Sequence, residues 1–128
     1  VTSNVERISD HAMNICGYSE WLKEKDVRFS QEVREEILQM QQTCEELLTL
    51  LLNENMEALD ELSRVSALEQ NMDDMTEDYR NRMMHRIQEG TASGEGSVLY
   101  TEMLTDFERI GDHALNIAQE MTEVRLAE

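Results

Sequence analysis

The sequence predicts an all-α fold, an antiparallel helical bundle of three to four long helices. Proline is absent and aromatic residues make up only 5%, whereas the helix-favouring residues Glu, Leu, Met and Arg are plentiful. Apolar residues recur along most of the chain in alternating steps of three and four, which is the period of an amphipathic helix. The 128 residues suffice for one domain with a buried core.

The first helix is predicted over residues 2–25 and the second from Ser30 onward. Ser30 is the expected N-cap, because its hydroxyl can accept a hydrogen bond from the first turn and acidic residues follow it, where the helix dipole favours them. An apolar seam along the second helix includes Cys44, which we interpret as a buried thiol in a reducing compartment, without a disulfide to Cys16. The leucine-rich end, residues 47–52, is either ordinarily buried or a contact with a second copy or a neighbouring repeat.

The third and fourth helices are placed by two breaks in the pattern. Residues 53–55 form a weak break, and Asn55 is expected to cap a third helix over residues 56–89. The alternative is one continuous helix of about 60 residues, which a compact domain disfavours. Residues 90–97 are rich in glycine and serine and form the clearest loop. Ser97 is predicted to cap a fourth helix that runs from the next residue to the C-terminus.

A twelve-residue phrase occurs twice, at residues 4–15 and 106–117, with eight identical positions. Such an internal copy usually marks a structural unit that is used twice. Each copy contains a glutamate and an aspartate four positions apart, which places both carboxylates on one face of a helix, where they repel each other. A third pair with the same spacing lies between the two copies. The three pairs are Glu6 and Asp10, Glu69 and Asp73, and Glu108 and Asp112.

Carboxylate pairs on neighbouring helices predict an oxygen-rich metal site, suited to Mg²⁺, Ca²⁺, Mn²⁺ or iron. Asn14 and Asn116, one turn further along, could add carbonyl ligands. The other interpretation is a solvated acidic edge, although a merely solvated face does not need the same eight residues twice. His11 and His113 follow the aspartates but lie about 100° round the helix, so we interpret them as hydrogen-bonding groups and not as ligands.

The net charge of −17, from 28 acidic and 11 basic residues, excludes several classes of function. Nucleic acids and anionic membrane surfaces require basic residues, so a cation or a basic protein surface is the better partner. No run reaches the 18–20 apolar residues of a membrane span. The sequence also shows no catalytic nucleophile motif, phosphate-binding loop or zinc motif, and no Glu-x-x-His of a di-iron oxidase. We therefore predict a protein that is not an enzyme.

The two copies of Glu-Arg-Ile-x-Asp-His-Ala, at residues 6–12 and 108–114, resemble the PhoU family. Members of that family are built from three-helix repeats that carry Glu/Asp-x-x-x-Asp motifs. The resemblance implies that residues 1–25 are the last helix of a preceding, truncated repeat. It implies that residues 26–128 form a complete three-helix repeat.

The resemblance also implies a cytoplasmic regulatory role in phosphate uptake, exerted through contacts with a phosphate transporter and its sensor kinase. The truncated repeat favours the cytoplasmic tail of a sodium/phosphate cotransporter, which would be the chain's only association with a membrane. The implied cofactor is iron or another carboxylate-bound cation. When the family's metal-binding motifs are matched to positions in this sequence, the implied ligands of one cluster are Glu69, Asp73, Glu108 and Asp112. Glu6 and Asp10 would form half of a second cluster. That half is either empty or completed by another chain, as in a homodimer.

Two other functions compete with this interpretation. The first is a metal-free helical adaptor or dimerisation bundle, in which the acidic edges are only solvated. The second is a metalloenzyme, such as a hydrolase or an oxidase, that uses the same carboxylates.

Overall fold

The computed structural model describes residues 2–53, 57–92 and 94–127. These residues form four α-helices and no strand, which confirms the all-α helical bundle. No helix among them is long and apolar enough to cross a bilayer. The helices are α1 (Thr2–Glu24), α2 (Gln31–Leu51), α3 (Ala58–Gln88) and α4 (Glu95–Ala127).

Helix α4 is the element around which the others pack. It lies against α1, α2 and α3, while α2 also packs against α3. Among the described helices, α1 packs directly against α4 alone. The two copies of the repeated phrase lie on α1 and α4, so the repeat pairs with itself across one interface.

The hydrophobic core lies between α2, α3 and α4. Its large, fully buried apolar side chains come from all three helices, and each contributes about 2 kcal/mol to folding through the apolar surface that it removes from water. They are Met40, Leu47, Val65, Met72, Tyr100 and Leu104. The leucine-rich end of α2 divides accordingly, because Leu47 belongs to this core whereas Leu52 is 81% exposed. The predicted burial of Cys44 is confirmed, and both cysteines are free thiols.

Helices α3 and α4 pack closely at Gly111. A Cβ atom built on Gly111 would lie 3.1 Å from Met72 Sδ and 3.9 Å from Glu69 Cγ. The first copy of the phrase has Ser9 at this position, and Ser9 is exposed. The two copies therefore differ in residue size at this position, where Gly111 packs against α3 and Ser9 is exposed.

The structure confirms most of the predicted helix limits. Val33 N–H donates to Ser30 Oγ at 3.3 Å, as expected of the α2 N-cap. The continuous 60-residue helix is wrong, because α2 ends at Leu51 and α3 begins at Ala58. The predicted cap Asn55 and start Met56 lie outside the described residues.

The predicted N-cap at Ser97 is wrong. Helix α4 already begins at Glu95, which places the buried Ser97 within its first turn. Gly94 adopts a φ of 77° and completes the turn that precedes the helix. Gly96 then fits against Val27, whose Cγ1 lies 3.2 Å from the position of an added Cβ, so a glycine inside the first turn has a packing reason.

A buried polar network joins α2, α3 and α4. The side chain of Glu36 is only 4% exposed, and it accepts hydrogen bonds from the Tyr100 hydroxyl and from the guanidinium groups of Arg86 and Arg82. Burial, followed by the hydrogen bond to Glu36, raises the pKa of Tyr100. From the sequence, Glu36 is only one of the acidic residues that favour the start of α2, so this network was not predicted.

We predict that Glu36→Gln lowers the free energy of unfolding by about 3 kcal/mol, because it leaves the largely buried Arg86 without its anion. Urea denaturation followed by circular dichroism measures the change. Glu35→Gln, at the exposed neighbouring position, is the control and should stay within about 0.5 kcal/mol. Equal effects of the two substitutions would contradict a structural role for the network.

Candidate metal centre

Three carboxylates converge between α3 and α4. One oxygen atom from each of Glu69, Asp73 and Asp112 lies within 4.8 Å of the other two. Glu69 and Asp73 are half-buried, whereas Asp112 is exposed. The close approach at Gly111 explains the convergence, because Met72 and Gly111 directly precede the two aspartates. Four of the six predicted ligands lie on these two helices, and three of them meet.

Glu108 lies beside this trio. It is half-buried and one helical turn before Asp112 on α4. Burial, opposed by Arg80, raises the pKa of Glu108, and the negative charges of Asp73 and Asp112 add to the increase. Glu108 is therefore near enough to feel the trio's charge, although its oxygen atoms lie outside the 4.8 Å group.

Glu6 and Asp10 occupy the corresponding positions on α1, and both are exposed. Across the ranges that the structure describes, no group of three close ligands includes either residue. Asn14 is directed elsewhere, since its amide donates to Asp106 at 3.4 Å, while Asn116 is exposed. The second half-site stays a prediction.

Glu69 keeps its proton near neutral pH when no cation is present. Burial, hydrogen bonding with Asp112 and Asp73, and their negative charges raise the pKa of Glu69 to about 8. Like charges this close cannot all ionise without compensation. Three carboxylate oxygens at this spacing fit a hard or borderline cation, which would take the place of the proton.

The repeated phrase also forms a polar seam between α1 and α4. The rings of His11 and His113 stack with centroids 5.6 Å apart and planes at 15°. His11 Nδ1–H donates to Asp106 Oδ1 at 2.8 Å, and His113 Nδ1 lies 3.2 Å from Asn4 Oδ1. His11 thus pairs with Asp106, seven positions before His113. In the same way, His113 pairs with Asn4, seven positions before His11. The seam therefore has approximate twofold symmetry.

The prediction that the two histidines form hydrogen bonds is confirmed, but their partners were not predicted. Asn4 and Asp106 occupy the same position in the two copies, and a residue seven positions before a histidine lies two turns away on the same helical face. That spacing is a signal from which the pairing could have been found. Burial, and then the neighbouring charges of His11 and Arg7, lower the pKa of His113.

These features define a class of protein, an acidic all-helical bundle with a carboxylate cluster between two of its helices and a repeated motif. Comparison with protein families is more specific. The PhoU domain model matches residues 37–121, from within α2 to within α4. The chain belongs to the PhoU domain family.

A curated relative is the phosphate-specific transport system accessory protein PhoU homolog 1 of Thermotoga maritima. The two sequences are 26% identical over 122 residues, which cover 94% of this chain and 51% of the relative. The chain thus spans about half the length of the curated relative that it matches. No solved structure matches the chain significantly.

Asp112→Asn should weaken Mn²⁺ binding at least about tenfold, because it removes one of three converging carboxylates. Isothermal titration calorimetry at pH 7.5 measures the affinity. Asp74→Asn is the matched control, since it makes the same change of charge at an exposed position next to Asp73. A similar loss in both variants would indicate a general effect of charge instead of a site.

The proton held by Glu69 predicts a dependence of stability on pH. Because the folded-state pKa of about 8 lies above the ordinary value of 4.5, the folded state binds more protons between these values, and its stability falls as pH rises through them. In chelator, Glu69→Gln should therefore gain stability relative to the wild type from pH 5 to pH 8. Thermal unfolding across this range measures the difference. Glu77→Gln, exposed on the same helix, should show a constant difference, and a constant difference in both variants would contradict the raised pKa.

Proposed function

We propose that this chain is a regulatory domain for phosphate uptake that binds metal through its carboxylate cluster and acts by contacting other proteins. Membership in the PhoU domain family is the observation that carries the proposal. The similar Thermotoga maritima protein bears the name of an accessory protein of a phosphate-specific transport system. Its name supports a role beside a transporter.

The proposed mechanism is conformational and involves no covalent chemistry. A bound cation would supply positive charge that compensates the three ionised carboxylates. Glu69 and Asp73 hold the α3 side of this site and Asp112 holds the α4 side, so the ligands join the two helices. Because α4 packs against each other helix, a change in its position relative to α3 would reach the whole bundle. The way in which the bundle docks on its partner proteins would change with the position of α4.

The charge of the chain suits this role. A net charge of −17 favours basic protein surfaces and speeds association with them. We propose a phosphate transporter and its sensor kinase as the partners, and a cytoplasmic location. A cotransporter whose cytoplasmic tail includes this chain would satisfy the same requirements, and the chain would then be linked to the membrane through that transporter.

The exposed apolar side chains also suit an adaptor that works without metal. Leu52, Met84 and Leu126 are each at least 60% exposed and could contact a partner whatever the state of the cluster. This alternative and the metal-dependent regulator differ in one respect, namely whether the carboxylates of the cluster affect partner binding.

The experiment compares phosphate uptake in the native host, with the full-length protein carrying either Asp73→Asn/Asp112→Asn or the control Asp74→Asn. We expect the double variant to lose the restraint on uptake at high external phosphate, because its cluster can no longer bind a cation. The control should behave as the wild type.

Three other outcomes discriminate between the functions. Normal restraint in the double variant, together with its loss on deletion of the domain, would favour the metal-free adaptor. Uptake that is unaffected by deletion would contradict the regulatory role. Hydrolysis of a phosphoester or consumption of oxygen by the metal-loaded chain would favour the metalloenzyme.

A further inference from the structure

A cavity of about 420 Å³ lies at one end of the bundle, where the α1–α2 and α3–α4 connections meet the N-termini of α2 and α4. It is separate from the carboxylate cluster, because Met83, which lines it, is ten positions beyond Asp73 and therefore about 15 Å further along α3. Its walls are partly apolar. The apolar residues are Val27, Phe29, Val33, Met83 and Ala92.

The first turn of α4 faces this cavity. Glu95, Gly96 and Ser97 line it, and the first N–H groups of a helix have no acceptor within the helix. At the start of α2, the Ser30 side chain accepts a hydrogen bond from the first turn. Gly94, which directly precedes α4, has no side chain that could do the same. The positive end of a 33-residue helix thus points its N–H groups towards the cavity, as in anion-binding sites.

The hydroxyl of Ser97 offers a further donor. Ser97 lines the cavity, although it is only 8% exposed. Its carbonyl accepts a hydrogen bond from Thr101 Oγ1 at 3.0 Å, whereas its hydroxyl makes no hydrogen bond to a described residue. A hydroxyl in so buried a residue ordinarily has a partner. Ser97 can therefore donate to a ligand in the cavity.

Arg28 adds positive charge to the same cavity. Its side chain is 80% exposed and approaches the equally exposed Asp26 only to 3.9 Å, so this ion pair holds it weakly. Arg86 also lines the cavity, but its guanidinium is already paired with Glu36. Glu95 is exposed, so its carboxylate can turn towards solvent. Arg28 is therefore the cation that is able to reach a ligand.

We propose that this cavity binds a phosphoryl dianion, either inorganic phosphate or a phosphate monoester, through the first N–H groups of α4, the Ser97 hydroxyl and Arg28. Phosphoryl oxygens accept hydrogen bonds from all three kinds of donor, and a phosphate monoester carries nearly two negative charges at neutral pH. The apolar walls suit the organic part of a monoester.

The chain has no phosphate-binding loop with a lysine of its own, but the fold brings Arg28 from the α1–α2 connection to the glycine-containing start of α4. A bound phosphoryl group would tie these two segments together. The inference does not depend on the proposed regulatory function, and it does not require metal at the carboxylate cluster.

The test titrates inorganic phosphate, phenyl phosphate and phenol into the ¹⁵N-labelled chain, and NMR follows the amide signals of Gly96 and Ser97. The same titrations of Asp112→Asn, in which the carboxylate cluster is weakened, separate this cavity from an anion held by metal at the cluster. We expect a phosphate to shift both amide signals in both proteins, and phenol to have little effect. A shift with inorganic phosphate would identify the free ion as a ligand, whereas a shift with phenyl phosphate alone would identify a monoester.

Arg28→Gln should weaken binding about tenfold and Ser97→Ala about fivefold, with unchanged helicity, because each removes a donor to the phosphoryl group. Arg34→Gln is the matched control, since it makes the same change of charge at an exposed position of α2 that does not line the cavity. The control should bind as the wild type does. Unshifted amide signals with both phosphates, equal shifts with phenol, or equal losses in Arg28→Gln and Arg34→Gln would overturn the proposal.

Discussion

The close packing of α3 on α4 at Gly111 is the constraint on which the rest of the structure depends. Met72 occupies the space that a side chain at position 111 would need, and the carboxylates on either side are consequently brought together. The energies explain why the arrangement is stable. Full burial of Met72 contributes about 2 kcal/mol to holding the two helices together. A proton on Glu69 or a bound cation would relieve the repulsion among the carboxylates that this packing brings together.

Helix α4 has two interfaces of different character. Towards α2 and α3 it presents an apolar stripe, while towards α1 it presents, beside apolar contacts with Ile8 and Ile15, the polar side chains of Asp106 and His113. Apolar contact gives most of the stability of the three-helix unit, whereas directional hydrogen bonds fix how α1 lies against it. One repeated phrase serves both purposes, because its charged, polar and apolar residues occupy different faces of the helix.

Much of this arrangement could be predicted from the sequence, because it follows from local periodicity. The helices, the Ser30 cap and the Glu-x-x-x-Asp pairs are all defined by residues within one or two turns of each other. The features that were not predicted depend on contacts between helices. The partners of Glu36 lie 46 to 64 positions away in sequence, and the position of Glu36 in an early helical turn gave no indication of burial. The error at Ser97 has a similar cause, since a contact with Val27 explains the glycine inside the first turn of α4. The assignment of residues 1–25 to a separate repeat, and of Glu6 and Asp10 to a second site, stays a prediction.

The difference between Ser9 and Gly111 has a consequence for how related sequences can be interpreted. The two copies of the phrase keep the same charged residues but differ in volume at this one position, and the smaller residue is the one in contact with another helix. The size of the residue at this position therefore indicates whether another helix packs against the motif helix, and it does so independently of the acidic residues. A homologue with glycine in both copies would be expected to have a closely packed neighbour on each motif helix. One with a larger residue in both would be expected to keep its helices further apart, however complete its set of carboxylates.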